Sequence, residues 1–213
     1  MYNPSTFRNT DHETLVNFVQ AHPLGVLITN TSEGLLASSI PLLLYPDEAD
    51  HGVFRAHLSK ANPHWKALAS GPECLIVFQG SHGYVTPHWY PSKTEHHKVV
   101  PTWNYSIVQC RGTPKVIHDA VWLRKQISDL TDFHEKERTN PAPWKVDDAP
   151  ADFIETQIKA IVGIEIPIRW IEGQFKMSQN RLEQDRLGVI NGISDPTDPH
   201  YNPDVADVMK TLS

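Results

Sequence analysis

Residues 160–171 read AIVGIEIPIRWI, which puts Val162, Ile164, Ile166, Ile168 and Trp170 at every second position. Alternate side chains of a pleated strand share a face, so the stretch predicts a β-strand with one apolar side. Working outward, the same logic predicts strands at 24–29, 35–45, 53–58, 74–79 and 84–86. Two more fall in 99–118, joined near Gly112-Thr113, with Trp103, Tyr105 and Ile107 on one face. Polar turns at 30–34, 46–52 and 80–83 separate them. Helices are predicted over 11–21, 63–70, 119–138 and 150–159, the third capped by Asp119 and carrying Leu123, Ile127, Leu130 and Phe133 at helical spacing. Many short strands with helices inserted late predict an α+β fold, an antiparallel barrel with peripheral helices. The domain is expected to span residues 1–193. Residues 194–213 read as a loose polar tail with one short helix.

At 213 residues the chain can bury a substantial core. Its longest apolar runs fall far short of the roughly 20 residues that cross a bilayer, and the polar start MYNPSTFRNTDHETL lacks the features of a secretory signal. A cytoplasmic protein without a membrane helix is the expectation. Lys and Arg total 19 against 25 Asp and Glu, a net charge of −6, so no excess of positive charge points to a nucleic-acid backbone. Helix 119–138 sets Arg124, Lys125, Lys136 and Arg138 against five acidic residues. Direct DNA contact is left open, since no basic recognition helix is present. Cys74 and Cys110 both sit in apolar runs and read as buried thiols.

Residues 55–65, RAHLSKANPHW, concentrate candidate chemistry where a strand gives way to a helix. Ser59, Lys60 and Asn62, with unpaired amide hydrogens at the helix start, form one donor set for an anionic phosphate; a solvated lysine and a capping asparagine are the alternative. His57 and His64 can each ligate a metal or haem iron, or be satisfied histidines without such a role. No HExxH or CxxC accompanies them, and GxSxG, GxGxxG and GxxxxGK[ST] are absent, which argues against zinc-hydrolase, serine-hydrolase, Rossmann and P-loop chemistry. Catalytic residues are not assigned. Tyr84, Trp89, Tyr90, Trp103 and Tyr105 either wall a flat cofactor or fill a core. The block KMSQNR, 176–181, either caps a helix or completes a site.

Taken in order, HPLG at 22–25, HLSKANPHW at 57–65, FQG at 78–80, WYPSK at 89–93, VPTWNY at 100–105, ADFIE at 151–155, IVGIEI at 161–166 and KMSQNR at 176–181 resemble the PaiB family. These are FMN-binding negative transcriptional regulators with the FMN-binding split-barrel fold. The resemblance covers residues 1 to about 193 and implies a homodimer with FMN at the subunit interface, responding to a small-molecule ligand. It implies that Ser59 and Lys60 bind the phosphate, with Asn62 beside them. Ser38, Ser39 and Ile40, with the Arg55, Ala56 and His57 backbone, would meet the isoalloxazine ring. Gln79, Trp103, Asn104 and Tyr105 would wall the pocket, and Lys176 and Gln179 would complete it. The haem-using piperazate synthases share the HxxxANPHW-like stretch. They imply an alternative, a flavin- or haem-dependent enzyme acting on a small molecule, with His57 or His64 as axial ligand. The segment WYPSKTEHHKVVPTWNY resembles the regulator branch more closely.

Overall fold

In the computed structural model, which describes residues 1–212, the 160–171 alternation belongs to a longer strand. Ser213, the end of the tail read above, lies outside the described residues. The elements in chain order are β1 (Arg8–Asn9), α1 (His12–Ala21), β2 (Leu24–Thr31), β3 (Gly34–Pro41), β4 (Leu43–Tyr45), β5 (Val53–Ser59) and α2 (His64–Ala69). Then come β6 (Cys74–Val85), α3 (Lys93–His96), β7 (Thr102–Gly112), β8 (Lys115–Ile117), α4 (Ala120–Glu135), α5 (Ala151–Lys159), β9 (Ile161–Lys176), α6 (Glu183–Ile193) and α7 (Pro203–Thr211). The main strand order is β3-β2-β6-β7-β9-β5-β4, and β1 and β8 also pair with β9.

β9 is the hub because both of its edges are used. β5 runs antiparallel along it from Val53 opposite Pro167 to Ser59 opposite Ile161, and β8 pairs with it at Lys115–Glu165 through Ile117–Gly163. Val162, Ile164 and Ile166 are fully buried, as the period-two pattern requires. Each such side chain contributes roughly 1.5–3 kcal/mol by leaving water.

Contacts divide the chain into two units, each described by itself. One comprises residues 19–78 and 109–171. Its β2–β3 hairpin runs from Leu24 opposite Pro41 to Thr31 opposite Gly34, where φ of +115° calls for glycine. Its interior includes Leu27, Phe54, Ala56, Leu58, Ile76 and Phe78, with the Phe54 and Phe78 rings 5.3 Å apart. Asp119 caps α4 by accepting from the Trp122 amide at 2.7 Å. α4 and α5 share a small core of Leu123, Val146, Ile154 and Ile158.

The other unit comprises residues 1–18, 79–108 and 172–213. Here the expected loose tail is corrected. α7 buries Val205, Ala206 and Met209 in a cluster with Val85, Tyr90, Met177, Val189, Ile190 and Ile193, which also includes the inner face of α6. Only three residues per helix carry that packing, too few to stand out in a segment rich in Asp, Asn and Pro. The predicted turn at 80–83 is also corrected, since β6 runs unbroken through Gly80 and Gly83. A Cβ on Gly80 would lie 2.6 Å from Ser106 Oγ and 2.7 Å from the Phe18 ring, so this glycine permits close packing within a strand. The polar segment 91–98, which has no sequence period, contains the short helix α3.

Gly112 tests how tightly β7 is held: a Cβ there would run into the backbone carbonyl of Pro167, an atom that cannot swing aside. Gly112→Ala is expected to destabilise the protein by about 1–3 kcal/mol, seen as a lower urea midpoint with unchanged slope. An unchanged midpoint would show that this approach is looser than described.

Candidate functional site

From Phe54 onward β5 alternates. Phe54, Ala56 and Leu58 point into the core, which turns Arg55, His57 and Ser59 to the opposite face. Arg55 donates from Nε to Glu165 Oε2 at 3.0 Å and from its two terminal nitrogens to Glu48 at 3.1 and 2.7 Å. Its guanidinium carbon lies 4.3 Å from the centre of the Tyr45 ring. His57 Nδ1 is 2.8 Å from Oε1 of Gln126 on α4. The side chains of Arg55 and His57 are therefore fixed within the chain. β4 pairs with β5 only at Val53, Phe54 and Arg55, so from Ala56 onward that edge of β5 is not paired with β4.

At the end of β5, Ser59 and Lys60 are exposed. Ser59 Oγ accepts from the Ala61 amide at 3.2 Å, which leaves its own proton to donate. Lys60 Nζ donates to the Lys159 carbonyl at 2.6 Å, placing a cation at the C-terminus of α5, where the helix dipole favours it. The expectation of unpaired amides is corrected. The Lys60 amide donates to Ala160, that of Asn62 to Ser59, and that of His64 to the Asn62 side chain. An anion here meets a hydroxyl and an ammonium more than free backbone N–H groups.

Asn62 Nδ2 donates to Ser38 Oγ at 3.2 Å, and His64 binds the same hydroxyl through Nδ1 at 2.9 Å. The other His64 nitrogen, Nε2, is 3.0 Å from Thr29 Oγ1. His64 is buried, and burial lowers its pKa below the usual histidine value. With both nitrogens engaged, it presents no lone pair to iron unless one bond breaks. On β3, Ser39 is exposed and Ile40 buried. Among the described residues no group of three or more His, Cys, Asp or Glu is arranged to hold a metal ion.

The remaining expected residues lie in the other unit. Gln79 is exposed. Trp103 is 53% exposed, with its ring 6.4 Å from His82 and 6.0 Å from Tyr84, so it offers a flat surface to solvent. Asn104 points inward and is fully buried, accepting from Ser178 Oγ at 3.0 Å and donating to Met209 Sδ at 3.3 Å. Tyr105 donates to Gln174 Oε1 at 3.3 Å. Lys176 donates to Thr102 Oγ1 at 2.6 Å and to the Trp103 carbonyl, and its pKa is lowered by burial and then by the charge of Arg181. Gln179 is engaged with its own segment, accepting from the Met177 amide and donating to the Phe175 carbonyl. Both thiols are buried. Burial pushes the Cys74 thiol up to about 11 and raises that of Cys110 as well, so neither is an activated nucleophile.

Gln126 and Thr29 were not among the expected site residues. Gln126 carries a faint signal, an amide three residues after Leu123 on the apolar stripe of α4, where a polar side chain needs a buried partner. Thr29 has none, being one β-branched residue among several.

The architecture defines a fold class, the antiparallel split barrel shared with flavin-binding proteins. Two solved structures share this fold: an FAD and heme binding protein from Mycobacterium smegmatis and a flavocytochrome from Azotobacter vinelandii. The first has a TM-score of 0.58 at 19% identity, covering 79% of this chain and 73% of that one. The second has a TM-score of 0.56 at 17% identity, covering 85% and 75%. Residues 1–170 match the family model described as "Putative FMN-binding domain". The chain is also 31% identical over 200 residues to the Protease synthase and sporulation protein PAI 2 of Bacillus subtilis, spanning 94% of this chain and 92% of that protein. It belongs to the PaiB family, whose domain is of the FMN-binding type.

Because burial holds the His64 pKa below its unfolded value near 6.5, the unfolded chain binds more protons just below that pH. The stabilisation from neutral His64 is present above pH 6.5 and is lost as pH falls toward the lower folded pKa. Denaturant titrations from pH 7.5 to 5 should show a smaller acid-side loss in His64→Gln than in the parent. Equal losses in the two would place the titration elsewhere.

Proposed function

We propose that this protein is a PaiB-type regulatory protein of the cytoplasm. In this reading it is a homodimer that holds FMN at the β5 strand end and answers to a small-molecule signal. The observation that carries the reading is the exposed donor set, Ser59 and Lys60, where β5 runs past its pairing with β4. A hydroxyl proton and an ammonium suit a phosphate monoester, and the stretch of β5 from Ala56 that β4 leaves unpaired suits the polar rim of a flavin ring. FMN, when bound, supplies the redox chemistry, while the chain binds and orients it. Exposed Trp103 suits an aromatic ligand or partner surface. The acidic content of α4 supports regulation through the ligand rather than DNA reading by that helix.

A second reading, a flavin- or haem-dependent enzyme acting on a small molecule, is favoured by one feature. His57 engages Gln126 through Nδ1, the kind of support that aims the opposite nitrogen of a ligating histidine. On that reading His57, and not His64, is the axial ligand.

Purified protein mixed with FMN and then desalted should retain the flavin absorbance bands. Riboflavin, which lacks the phosphate, should bind more weakly, and Ser59→Ala or Lys60→Ala should weaken FMN about ten-fold or more while leaving riboflavin unchanged. Equal affinity for FMN and riboflavin would overturn the phosphate assignment. A Soret band formed with haemin and abolished in His57→Ala would support the second reading. Transcript levels compared in cells with and without the protein test regulation, which unchanged transcripts would sink.

A further inference from the structure

The hydrogen bonds at His64 belong to a longer chain of bonds. Thr29 Oγ1 lies 3.0 Å from His64 Nε2, His64 Nδ1 lies 2.9 Å from Ser38 Oγ, and the same hydroxyl accepts from Asn62 Nδ2 at 3.2 Å. The path crosses from β2 through the first residue of α2 to β3, and returns to the turn that follows β5. Thr29 is 1% exposed and His64 2%.

Each group's orientation is set by what it meets. The His64 backbone amide donates to Asn62 Oδ1 at 3.0 Å, so the opposite end of that side chain, Nδ2, is the one that faces Ser38. A neutral imidazole carries one donor and one acceptor nitrogen, and a hydroxyl can answer either. With Ser38 on one side and Thr29 on the other, both ring nitrogens are satisfied in either tautomer.

Asn62 also closes the turn that carries the exposed donors. Its backbone amide donates to the Ser59 carbonyl at 2.9 Å, and the Ala61 amide between them donates to Ser59 Oγ at 3.2 Å. Toward α5 the turn is tied by the Lys60 amide on the Ala160 carbonyl at 2.8 Å and by Lys60 Nζ on the Lys159 carbonyl. Within α2, Trp65 Nε1 donates to the Lys60 carbonyl at 3.1 Å. Toward β3 the tie is the side chain of Asn62 on Ser38.

We propose that Ser38 is a positioning residue of the phosphate site: held by His64 and Thr29, its hydroxyl fixes Asn62 and, through Asn62, the Ser59–Lys60 turn. This role rests on the reading above, in which those donors take a phosphate monoester, and it differs from the ring contact that the resemblance implies for Ser38. Donors ordered before the ligand arrives spare binding the cost of ordering them. Thr29, too buried to touch a ligand, then influences phosphate recognition through His64.

Two measurements on the full chain test the role, each variant first shown to be folded by its urea midpoint. The first needs no flavin: solvent exchange of the Ala61 amide, followed by NMR, reports the bond to Ser59 Oγ. Exchange should quicken about three-fold or more in Ser38→Ala and in Thr29→Val, and return to the parent rate in Thr29→Ser, which keeps the hydroxyl. Thr29→Val serves alone if Ser38→Ala does not fold. Unchanged exchange overturns the role whichever flavin binds. The second compares FMN with riboflavin. The same two variants should weaken FMN about three- to ten-fold and leave riboflavin unchanged, and combining Ser38→Ala with Ser59→Ala should cost less than the sum of the two. Equal losses of FMN and riboflavin in Ser38→Ala would assign Ser38 to the ring and overturn the positioning role. A parent that binds both flavins equally sinks the phosphate reading and this role with it. A parent that prefers FMN, and keeps its full preference in both variants, sinks this role alone.

Discussion

Everything in the site depends on how β9 is paired. Its buried row of Val162, Ile164 and Ile166 fixes which face of the strand looks inward, and a slip of one residue would turn that row outward. The register with β5 transmits the constraint: with Ala56 opposite Ile164 and Leu58 opposite Val162, the inward residues of the two strands coincide. Arg55, His57 and Ser59 are then forced onto the other face. A strand whose core face is this firmly set gives its outer face a fixed order of cation, imidazole and hydroxyl.

What meets that outer face differs along its length. Near Arg55 and His57 the partner is α4, which supplies Gln126, with Glu48 and Glu165 completing the ion pairs. By Ser59 and Lys60 the face has run out into solvent. Chemistry that is uniform in sequence becomes divided in structure, with a closed, charge-balanced part and an open donor part. The two histidines of the 55–65 stretch are divided in the same way. His64 is sealed between Ser38 and Thr29, while His57 has only one nitrogen committed to a described partner.

Much of this was legible in residue order, because strands with one buried face announce themselves by alternation and helices by spacing and caps. Asp119 as the cap of α4 and the strand-to-helix transition at Asn62-Pro63 are local features, determined by neighbours in the chain. The misreadings were of another kind. Gly80 looked like a turn because its reason for being glycine, the approach of Phe18 and Ser106, lies far away in sequence. The tail looked loose because its three buried side chains acquire meaning only against α6 and Val85. The resemblance implied that Asn104 walls the pocket, and its residue type says nothing of whether a polar atom faces a ligand or, as here, Ser178 and Met209.

By itself, then, the chain of residues determined the strands, the main helices and the place where hydroxyl, ammonium and imidazole side chains gather, since each of these follows from period and neighbouring residues. Tertiary structure alone decided which of the gathered groups are free. Hydrogen bonds such as His57 to Gln126, 69 residues apart, or Lys60 to Lys159, 99 apart, are set by packing between elements, and no local pattern encodes them.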